Sequence, residues 1–312
     1  MNSARPGRWI GPTCAIFGVL GFSFKAILIK LAYQWQEPDA ITLLALRMLY
    51  SAPFFVVMAW WAARSPTAPA LRNADWMRLA WLGFIGYYLA SLFDFLGLLY
   101  ITASLERLVL FLYPTIVVVL SALLYRTPVV RRHIGALVMS YVGIAFVFWY
   151  DLRVSGDVAA TLAGGALVFA SAVFYALYLV QAGDLITRLG SMRFIAWAML
   201  GSTCFVLIHF LLTRPLAALL VPAPIHGLAL AMALFSTVLP TWLIAEAIRR
   251  IGANNASLIG SLGPVFTIGL GAAMLGESIR ALQLAGAAFV VGGVWLVTFK
   301  AKVPATAADV DT

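Results

Sequence analysis

Long apolar segments recur along the whole chain, and they constrain the fold more than any other feature. A helix that spans a lipid bilayer needs about 20 mostly apolar residues. Segments of this kind are found at 10–32, 39–62, 76–99, 104–125, 132–150, 160–182, 192–213, 225–248, 253–275 and 281–299. The connections between them are short and leave no room for an inserted soluble domain. We therefore predict an all-α integral membrane protein with ten transmembrane helices.

The composition supports this class and excludes several others. Of the 312 residues, 63% are hydrophobic and only 11% are charged, which is typical of membrane proteins. The net charge of +9 is spread thinly between apolar segments, so it does not form a nucleic-acid-binding patch. The segment 10–32 is too long for the apolar part of a signal peptide and is expected to remain as the first helix.

Lysine and arginine are distributed unevenly between the connections, and this predicts the orientation. With the N-terminus in the cytoplasm, the cytoplasmic segments hold 14 of these residues and the opposite segments hold 5. Cytoplasmic loops of membrane proteins are enriched in basic residues. We expect a multi-pass protein of a bacterial inner membrane with both termini in the cytoplasm.

The two halves of the chain align at a constant offset of 150 positions, which we call the repeat interval. At this offset Pro114 meets Pro264, and Gly143 meets Gly293. Matches between common apolar residues carry little weight, but one offset that also aligns a mid-membrane proline is informative. The chain is therefore expected to contain an internal repeat.

The repeat predicts two units, residues 1–150 and residues 151–312, the second with a short cytoplasmic C-terminal tail. Each unit would hold five helices, and because five is odd the second unit enters the membrane from the opposite side. Inverted repeats are typical of secondary transporters, with a binding site near the bilayer midplane between the repeats. The alternative is a duplicated helical bundle without a transport role.

Specific residues near the C-terminus point to a known family. Within 236–297 they are Ala245, Arg249, Pro264, Gly276, Glu277, Gly286 and Gly293. This pattern resembles the repeat of the EamA-like family within the drug/metabolite transporter superfamily. The resemblance implies a secondary transporter that exports small metabolites such as amino acids, or drugs, by alternating access. It does not name the substrate, because members of the family move diverse solutes.

The first half resembles the same repeat more weakly. It keeps Arg47, Pro114, Gly135 and Gly143 at matching places in the pattern. It departs from the pattern at residues 22–23, where Phe-Ser replaces Trp-Gly, and at residues 126–127, where Arg-Thr replaces Gly-Glu.

Four ionisable residues stand out within the apolar segments of the first half, Lys25, Arg47, Asp94 and Glu106, and Arg107 follows Glu106 in the first turn of its predicted helix. Ionisable side chains inside a membrane are costly and are functional candidates by default. Lys25 or Arg47 would bind a carboxylate or phosphate, and Asp94 or Glu106 would bind an amine or a proton. The alternative is structural, with Arg47 paired to Asp94 and Lys25 extended toward the membrane surface. The residues one repeat interval later are uncharged: Tyr175, Trp197, Ile244 and Ala256.

Further candidates would complete a cavity for a flat or partly apolar solute. The aromatic candidates are Tyr87, Tyr88, Tyr113, Tyr175, Tyr178 and Trp242, and the polar ones are Asn254 and Ser257. Glu246 is a candidate gate or proton site, and the alternative is an ion pair one helical turn away with Arg249 or Arg250. Pro114 and Pro264 are predicted to interrupt their helices as hinges.

Several reaction classes are not supported by any motif. The chain has no P-loop and no hydrolase, metalloprotease or Cys-x-x-Cys motif, so we predict no ATP-driven step, no cofactor, no metal and no enzyme activity. The expected partners are a small-molecule substrate and the lipid bilayer, with protons as a candidate coupling ion and no nucleic acid. The remaining alternative is a membrane-embedded enzyme or scaffold that acts on a lipid-linked substrate. The oligomeric state is not predicted.

Overall fold

The computed structural model describes residues 9–36, 38–64, 70–126, 131–260 and 262–298, and every regular element in this part is a helix. Seven helical stretches in it are long and apolar enough to cross a membrane: Ile10–Trp35, Ala40–Ala63, Asn73–Gly97, Ala103–Tyr125, Val158–Leu189, Ser191–Thr213 and Ala223–Ala247. Three shorter apolar helices are His133–Trp149, Gly263–Leu275 and Ala281–Leu296. The all-helical fold is confirmed for these residues, and its long apolar helices agree with an integral membrane protein.

The described part contains thirteen α-helices, two π-helical segments and one short 3-10 helix. The α-helices are α1 (Ile10–Gln36), α2 (Ala40–Ala63), α3 (Asn73–Gly83), α4 (Ala90–Gly97), α5 (Ala103–Leu110), α6 (Tyr113–Tyr125), α7 (Arg131–Ser155), α8 (Val158–Leu189), α9 (Ser191–Thr213), α10 (Ala223–Ala233), α11 (Leu239–Gly260), α12 (Gly263–Leu275) and α13 (Ala281–Thr298). The π segments, Phe84–Leu89 and Leu234–Val238, join α3 to α4 and α10 to α11, and the 3-10 helix is Leu216–Leu219.

Some predicted helix ends are too early. We predicted that the first helix ends at residue 32 and the sixth at residue 182, whereas α1 continues to Gln36 and α8 to Leu189. Apolar patterning stops at the first polar residues, but backbone hydrogen bonding continues through them. The link from α8 to α9 is then a single residue, Gly190, whose φ of 79° suits glycine.

We predicted a non-helical connection at residues 249–252. This prediction is wrong, because α11 is helical from Leu239 to Gly260. The first part of α11 runs antiparallel to α1. Gly21 of α1 lies against Pro240, and Gly11 lies against Ile251.

Beyond Ile251 the direction of the chain reverses relative to α1. The Ser23 hydroxyl donates a hydrogen bond of 3.1 Å to the carbonyl of Gly263. Ser23 lies further from the start of α1 than Gly11, the residue that meets Ile251. The chain therefore turns back along α1 between residues 251 and 263, without a long non-helical linker.

Several backbone irregularities are separated by one repeat interval. The π segments begin at Phe84 and Leu234. The helices α6 and α12 begin at residues 113 and 263, and each ends in a left-handed residue, Arg126 with φ 54° and Gly276 with φ 69°. These are the places where the two halves share a local backbone geometry.

One helix pair shows the same recurrence in its packing. A Cβ atom on Gly143 of α7 would lie 2.6 Å from the Gly286 carbonyl oxygen, and a Cβ atom on Gly293 of α13 would lie 2.7 Å from the Ala136 carbonyl oxygen. The two contacts are equivalent, because Gly293 corresponds to Gly143 and Gly286 corresponds to Ala136 at the repeat interval. Small residues allow helix backbones to approach closely in membranes, so the two glycines allow α7 to pack closely against α13.

The largest group of buried apolar side chains lies between α1, α2, α4, α9 and α10. Ile27, Leu43, Phe95 and Phe210 are among its fully buried members. This core holds the inner faces of α1 and α4 together. It therefore positions the charged residues that those two helices carry.

Candidate functional site

Three charged residues from three helices meet at one place. Lys25 of α1 has its Nζ atom 2.7 Å from Oδ2 of Asp94 on α4 and 3.6 Å from Oε1 of Glu106 on α5. The Asp94 and Glu106 side chains are 1% and 0% exposed, and that of Lys25 is 17% exposed. The structure thus brings together three of the four predicted ionisable candidates, which we call the Lys25 cluster.

The Lys25 cluster contains two carboxyl groups and one ammonium group. Apart from Lys25, no hydrogen-bond donor in the described residues reaches the oxygens of Asp94 or Glu106. A buried charge is costly unless it is paired and hydrogen-bonded. If both carboxyl groups are ionised, these three side chains alone sum to one negative charge, before the nearby guanidinium groups of Arg47 and Arg107 are counted. A proton or a cationic group would remove this imbalance.

Arg47 lies near the Lys25 cluster but does not pair with a carboxylate. Its Nη2 atom donates a 3.0 Å hydrogen bond to Oγ of Ser91, and its guanidinium lies over the ring of Phe95 at 4.9 Å. The structural alternative, in which Arg47 pairs with Asp94 while Lys25 extends to the surface, is therefore wrong. Because α1 continues to Gln36, Lys25 lies about 16 Å from that end of the helix, too deep to reach it.

The first turn of α5 is fixed by two caps, which place Glu106. Oγ1 of Thr102 accepts a 3.1 Å hydrogen bond from the Leu105 amide. Glu277, from the other half of the chain, accepts hydrogen bonds of 2.8 Å from the Ala103 amide and 2.5 Å from the Ser104 hydroxyl. Because a carboxylate at a helix N-terminus satisfies free amides and the helix dipole, Glu277 anchors α5 to the turn after α12. The sequence gave Glu277 only as part of the family pattern, with no sign of this partner.

Four of the predicted tyrosines form a second group, which we call the tyrosine cluster. The hydroxyls of Tyr87 and Tyr178 share a hydrogen bond of 2.9 Å. The rings of Tyr175 and Tyr178 are stacked at 5.7 Å, and the ring of Tyr113 meets that of Tyr175 edge-on at 5.1 Å. The cluster joins α6, α8 and the first π segment. Four phenols at one place offer both aromatic faces and hydroxyl groups to a bound solute.

Three other candidates lie elsewhere. Tyr88 points to α9, where its hydroxyl is 3.0 Å from Nδ1 of His209. Trp242 is 46% exposed. Glu246 accepts a 2.6 Å hydrogen bond from Nε of Arg250, which is the ion pair offered as the alternative to a gate.

Two polar candidates cannot be placed in detail. Asn254 and Ser257 belong to α11, but their side chains lie outside what the structure describes. Their role as pocket or gate donors stays a prediction.

The two candidate hinge prolines lie where one helix ends and the next begins. Pro114 is in the first turn of α6 and Pro264 is in the first turn of α12. Proline is tolerated at this position because its missing N–H has no partner within the helix. The prolines therefore lie where the helices are interrupted, at the start of new helices, and their role as hinges stays a prediction.

An apolar groove of about 670 Å³ lies between α2, α9 and the second π segment with α11. Its lining residues are Phe54, Val57, Met58, Trp61, Met192, Leu234, Phe235, Val238, Leu239 and Trp242. Aromatic side chains meet at the equivalent place, one repeat interval away. There, Phe84 and Tyr88 of the first π segment pack against Phe205 of α9, with ring centroids 5.0 and 6.2 Å apart.

Comparisons with known proteins agree with this architecture. The sequence profile of the EamA-like transporter family matches residues 9–149 and again residues 162–299. The uncharacterized transporter YcbK of Bacillus subtilis (strain 168) is 30% identical over 298 residues, which cover 92% of this chain and 91% of the relative. An uncharacterized transporter of Archaeoglobus fulgidus is 24% identical, over 90% of this chain and 95% of the relative.

A protein of known crystal structure has the same fold. It superposes with a TM-score of 0.64 and 18% sequence identity, over 92% of this chain and 95% of that chain. Together with the two profile matches, which span nearly the whole sequence, these similarities establish that the chain belongs to the EamA-like transporter family.

Proposed function

We propose that this protein is a secondary transporter that moves a small solute by alternating access between two inverted repeats of five membrane-spanning helices. The proposal rests first on the features that recur at the repeat interval. They are the π segments, the left-handed caps and the reciprocal glycine contacts of α7 and α13. Five helices per repeat reverse the direction of the second unit in the membrane, which is the arrangement that lets two units exchange conformations.

The same proposal includes the orientation predicted from basic residues. With both termini in the cytoplasm of a bacterial cell, α1 runs outward and α2 returns. The chain reversal near Ile251 supports ten passes, because it gives α11 and α12 opposite directions along α1.

The Lys25 cluster is the observation that carries a coupling role. Two buried carboxyl groups share one ammonium group. A proton on either carboxyl group would therefore change how the ammonium is shared and the total charge of the cluster. Such groups inside a membrane mark ion or proton pathways. Lys25 is the accessible member, and it would release Asp94 or Glu106 when a proton replaces it as the neutralising charge.

The unequal packing of the two matching grooves supports alternating access. The groove beside Trp242 is open, whereas at the equivalent positions Phe84 contacts Phe205 and Tyr88 contacts His209. In an alternating transporter, the groove and its equivalent positions would exchange their open and packed arrangements. Pro114 and Pro264 lie where the helices are already interrupted, so these joints are our proposed hinges.

The direct test is solute flux into and out of proteoliposomes that contain the purified protein. We would use labelled amino acids, organic anions and cationic drugs, with and without an imposed pH gradient. We expect flux of one class above that of empty liposomes, increased by the gradient. The direction of that flux in oriented vesicles tests the predicted export. A flux that does not depend on the pH gradient would remove proton coupling from the proposal.

Two variants assign the coupling to the cluster. Glu106→Gln and Asp94→Asn keep the shape of each side chain but cannot release a proton. We expect each to alter the pH dependence of flux, and Glu246→Gln, outside the cluster, to leave it as in the wild type. Wild-type pH profiles in both cluster variants would contradict the coupling role. No flux of any solute, with turnover of a lipid-linked substrate, would favour the enzyme alternative instead.

A further inference from the structure

Arg107 is a half-buried cation that forms no ion pair with the residues that the structure describes. It follows Glu106 on α5, but its side chain points toward the start of α12. In the part of the chain that the structure describes, no carboxylate lies within 4 Å of its guanidinium, and its Nε atom is buried without a hydrogen-bond partner. A buried polar atom of this kind in a native protein calls for an explanation, such as a missing ion or ligand.

The surroundings of Arg107 make its charge more costly. Its guanidinium lies against Gly263, the first residue of α12, where an added Cβ atom would be 2.8 Å from Nη2. No side chain caps this N-terminus among the described residues. Helix N-termini carry a partial positive charge and attract anions. Arg107 and the start of α12 thus place two positive poles side by side.

The charge of the neighbouring groups does not compensate for Arg107. Among the described residues, the charged groups that interact within and around the Lys25 cluster are Lys25, Arg47, Arg107, Asp94 and Glu106. With both carboxyl groups ionised their sum is +1, and each proton taken up raises it further. Two nearby charges are already satisfied, because the Lys30 ammonium donates to the Leu98 carbonyl and Glu277 caps α5.

The helix that carries Arg107, α5, packs against α8, which carries Tyr175 and Tyr178 of the tyrosine cluster. Tyr113 and Tyr175 are both within range of electrostatic interaction with its guanidinium. The two rings meet edge-on at 5.1 Å. If a solute placed its anionic group on Arg107, the remainder of the solute would therefore lie toward aromatic faces and phenol hydroxyls.

We propose that Arg107, beside the N-terminus of α12, binds the negatively charged group of the transported solute. The solute is accordingly an organic anion, a carboxylate or a phosphate, whose apolar part packs on Tyr113 and Tyr175. The proposal rests on the transport function above and names its substrate class. A guanidinium suits both groups, because its fork of N–H donors matches their paired oxygens.

The experiment measures binding rather than flux, so that its failure is separate from failure of the transport function. Purified protein in nanodiscs is titrated with benzoate, phenyl phosphate and benzylamine, and the melting temperature is recorded. We expect the anions to raise it and benzylamine not to. The anion that raises it at lower concentration identifies carboxylate or phosphate as the preferred group. Stabilisation by benzylamine alone would overturn the proposal, even if cationic solutes are transported.

Three variants locate the site. Arg107→Gln should weaken anion binding at least tenfold, whereas Arg107→Lys should keep part of it. Gly263→Ala leaves the charge unchanged but forces the guanidinium away from α12, and we expect a several-fold loss. If Arg107→Gln does not fold, Arg107→Lys and Gly263→Ala still test whether the anion binds at Arg107. Wild-type anion affinity in Arg107→Gln, or in both of the other variants, would place the anion elsewhere and refute the assignment.

Discussion

The two halves of this chain share a backbone design and differ in their buried chemistry. Both have a π segment, an interrupted helix with proline in the next first turn, and a left-handed cap, all at equivalent positions. Only the first half buries a charged cluster among the described residues. Lys25 corresponds to Tyr175, and Asp94 corresponds to Ile244. The shared features set how the helices pack against each other, whereas the differences coincide with the site that we propose for the solute.

The largest effect should come from removing the single ammonium of the Lys25 cluster. Lys25→Met leaves Asp94 and Glu106 buried without their ion-pair partner, and breaking a buried ion pair in this way costs about 3–5 kcal/mol. We expect a large loss of thermal stability, measured by unfolding in nanodiscs, together with loss of flux.

The matched control for Lys25→Met is Tyr175→Phe, at the equivalent place in the second half. It removes one hydroxyl and should change stability by about 1 kcal/mol or less. Similar losses in the two variants would mean that the halves do not differ energetically, and the comparison would fail.

The second effect concerns the π segments, where the halves differ by one small side chain. Gly86 lies directly against the ring and Cβ of Tyr178, and an added Cβ would be 2.7 Å from the Tyr178 Cβ atom. Because that atom is close to the backbone and cannot move away easily, Gly86→Ala should destabilise by about 1–3 kcal/mol. At the equivalent position, Ser236→Ala should have a smaller effect in the same unfolding assay. Equal stability of Gly86→Ala and wild type would show that α8 can shift.

Much of the fold was predictable from the sequence, and the reasons are physical. Apolar length identifies membrane helices, because lipid offers no partner for unpaired backbone groups. Glycine and proline also mark shared backbone features. The π segments were not predictable, because the residues from Phe84 to Leu89 are as apolar as those of an α-helix.

The candidate site was predictable only in part. Lys25, Asp94 and Glu106 were found because charge is rare in apolar segments. Their pairing was not found, since it depends on the rotation of three helices. Arg107 was noted beside Glu106 but left out of the candidates, because only the fold shows that it faces α12 without a carboxylate.

A third, smaller effect tests the left-handed caps. Arg126 adopts φ 54°, whereas its counterpart Gly276 has φ 69°. A non-glycine residue is strained in this region. Arg126→Gly should therefore stabilise the protein by up to about 1 kcal/mol, and Gly276→Ala should destabilise it by about the same amount. Thermal unfolding of both variants gives the comparison, and a loss of stability in Arg126→Gly would indicate that its side chain makes an important contact.

The smallest effect concerns two arginines at equivalent positions of the two halves. Arg64, at the end of α2, stacks on Trp60, whereas Arg214, at the end of α9, pairs with Asp39 at 2.7 Å. Partial burial alone would raise the pKa of Asp39, but hydrogen bonds from Arg214 and Thr42 outweigh it and lower the pKa below 3.8.

Because the folded state lowers this pKa, ionised Asp39 stabilises the protein above its ordinary pKa, and the contribution is lost as the pH falls through the lowered value. Asp39→Asn keeps the helix cap but removes the charge. At neutral pH we expect it to be less stable by about 0.5 kcal/mol. Unfolding curves of wild type and Asp39→Asn should converge once the pH falls below the lowered pKa of Asp39, and a constant difference at all pH values would exclude the ion pair as its cause.

The π segments have a consequence for how this chain is compared with its relatives. A π turn holds about one residue more than an α turn, so it rotates every later residue by roughly 100° around the helix axis. Asp94 follows the first π segment, and its contact with Lys25 includes that rotation. A relative that lacks the additional residue would present a different face of α4 to α1, even with an aspartate at the aligned position. Helical wheels for this span therefore have to be restarted at Ala90.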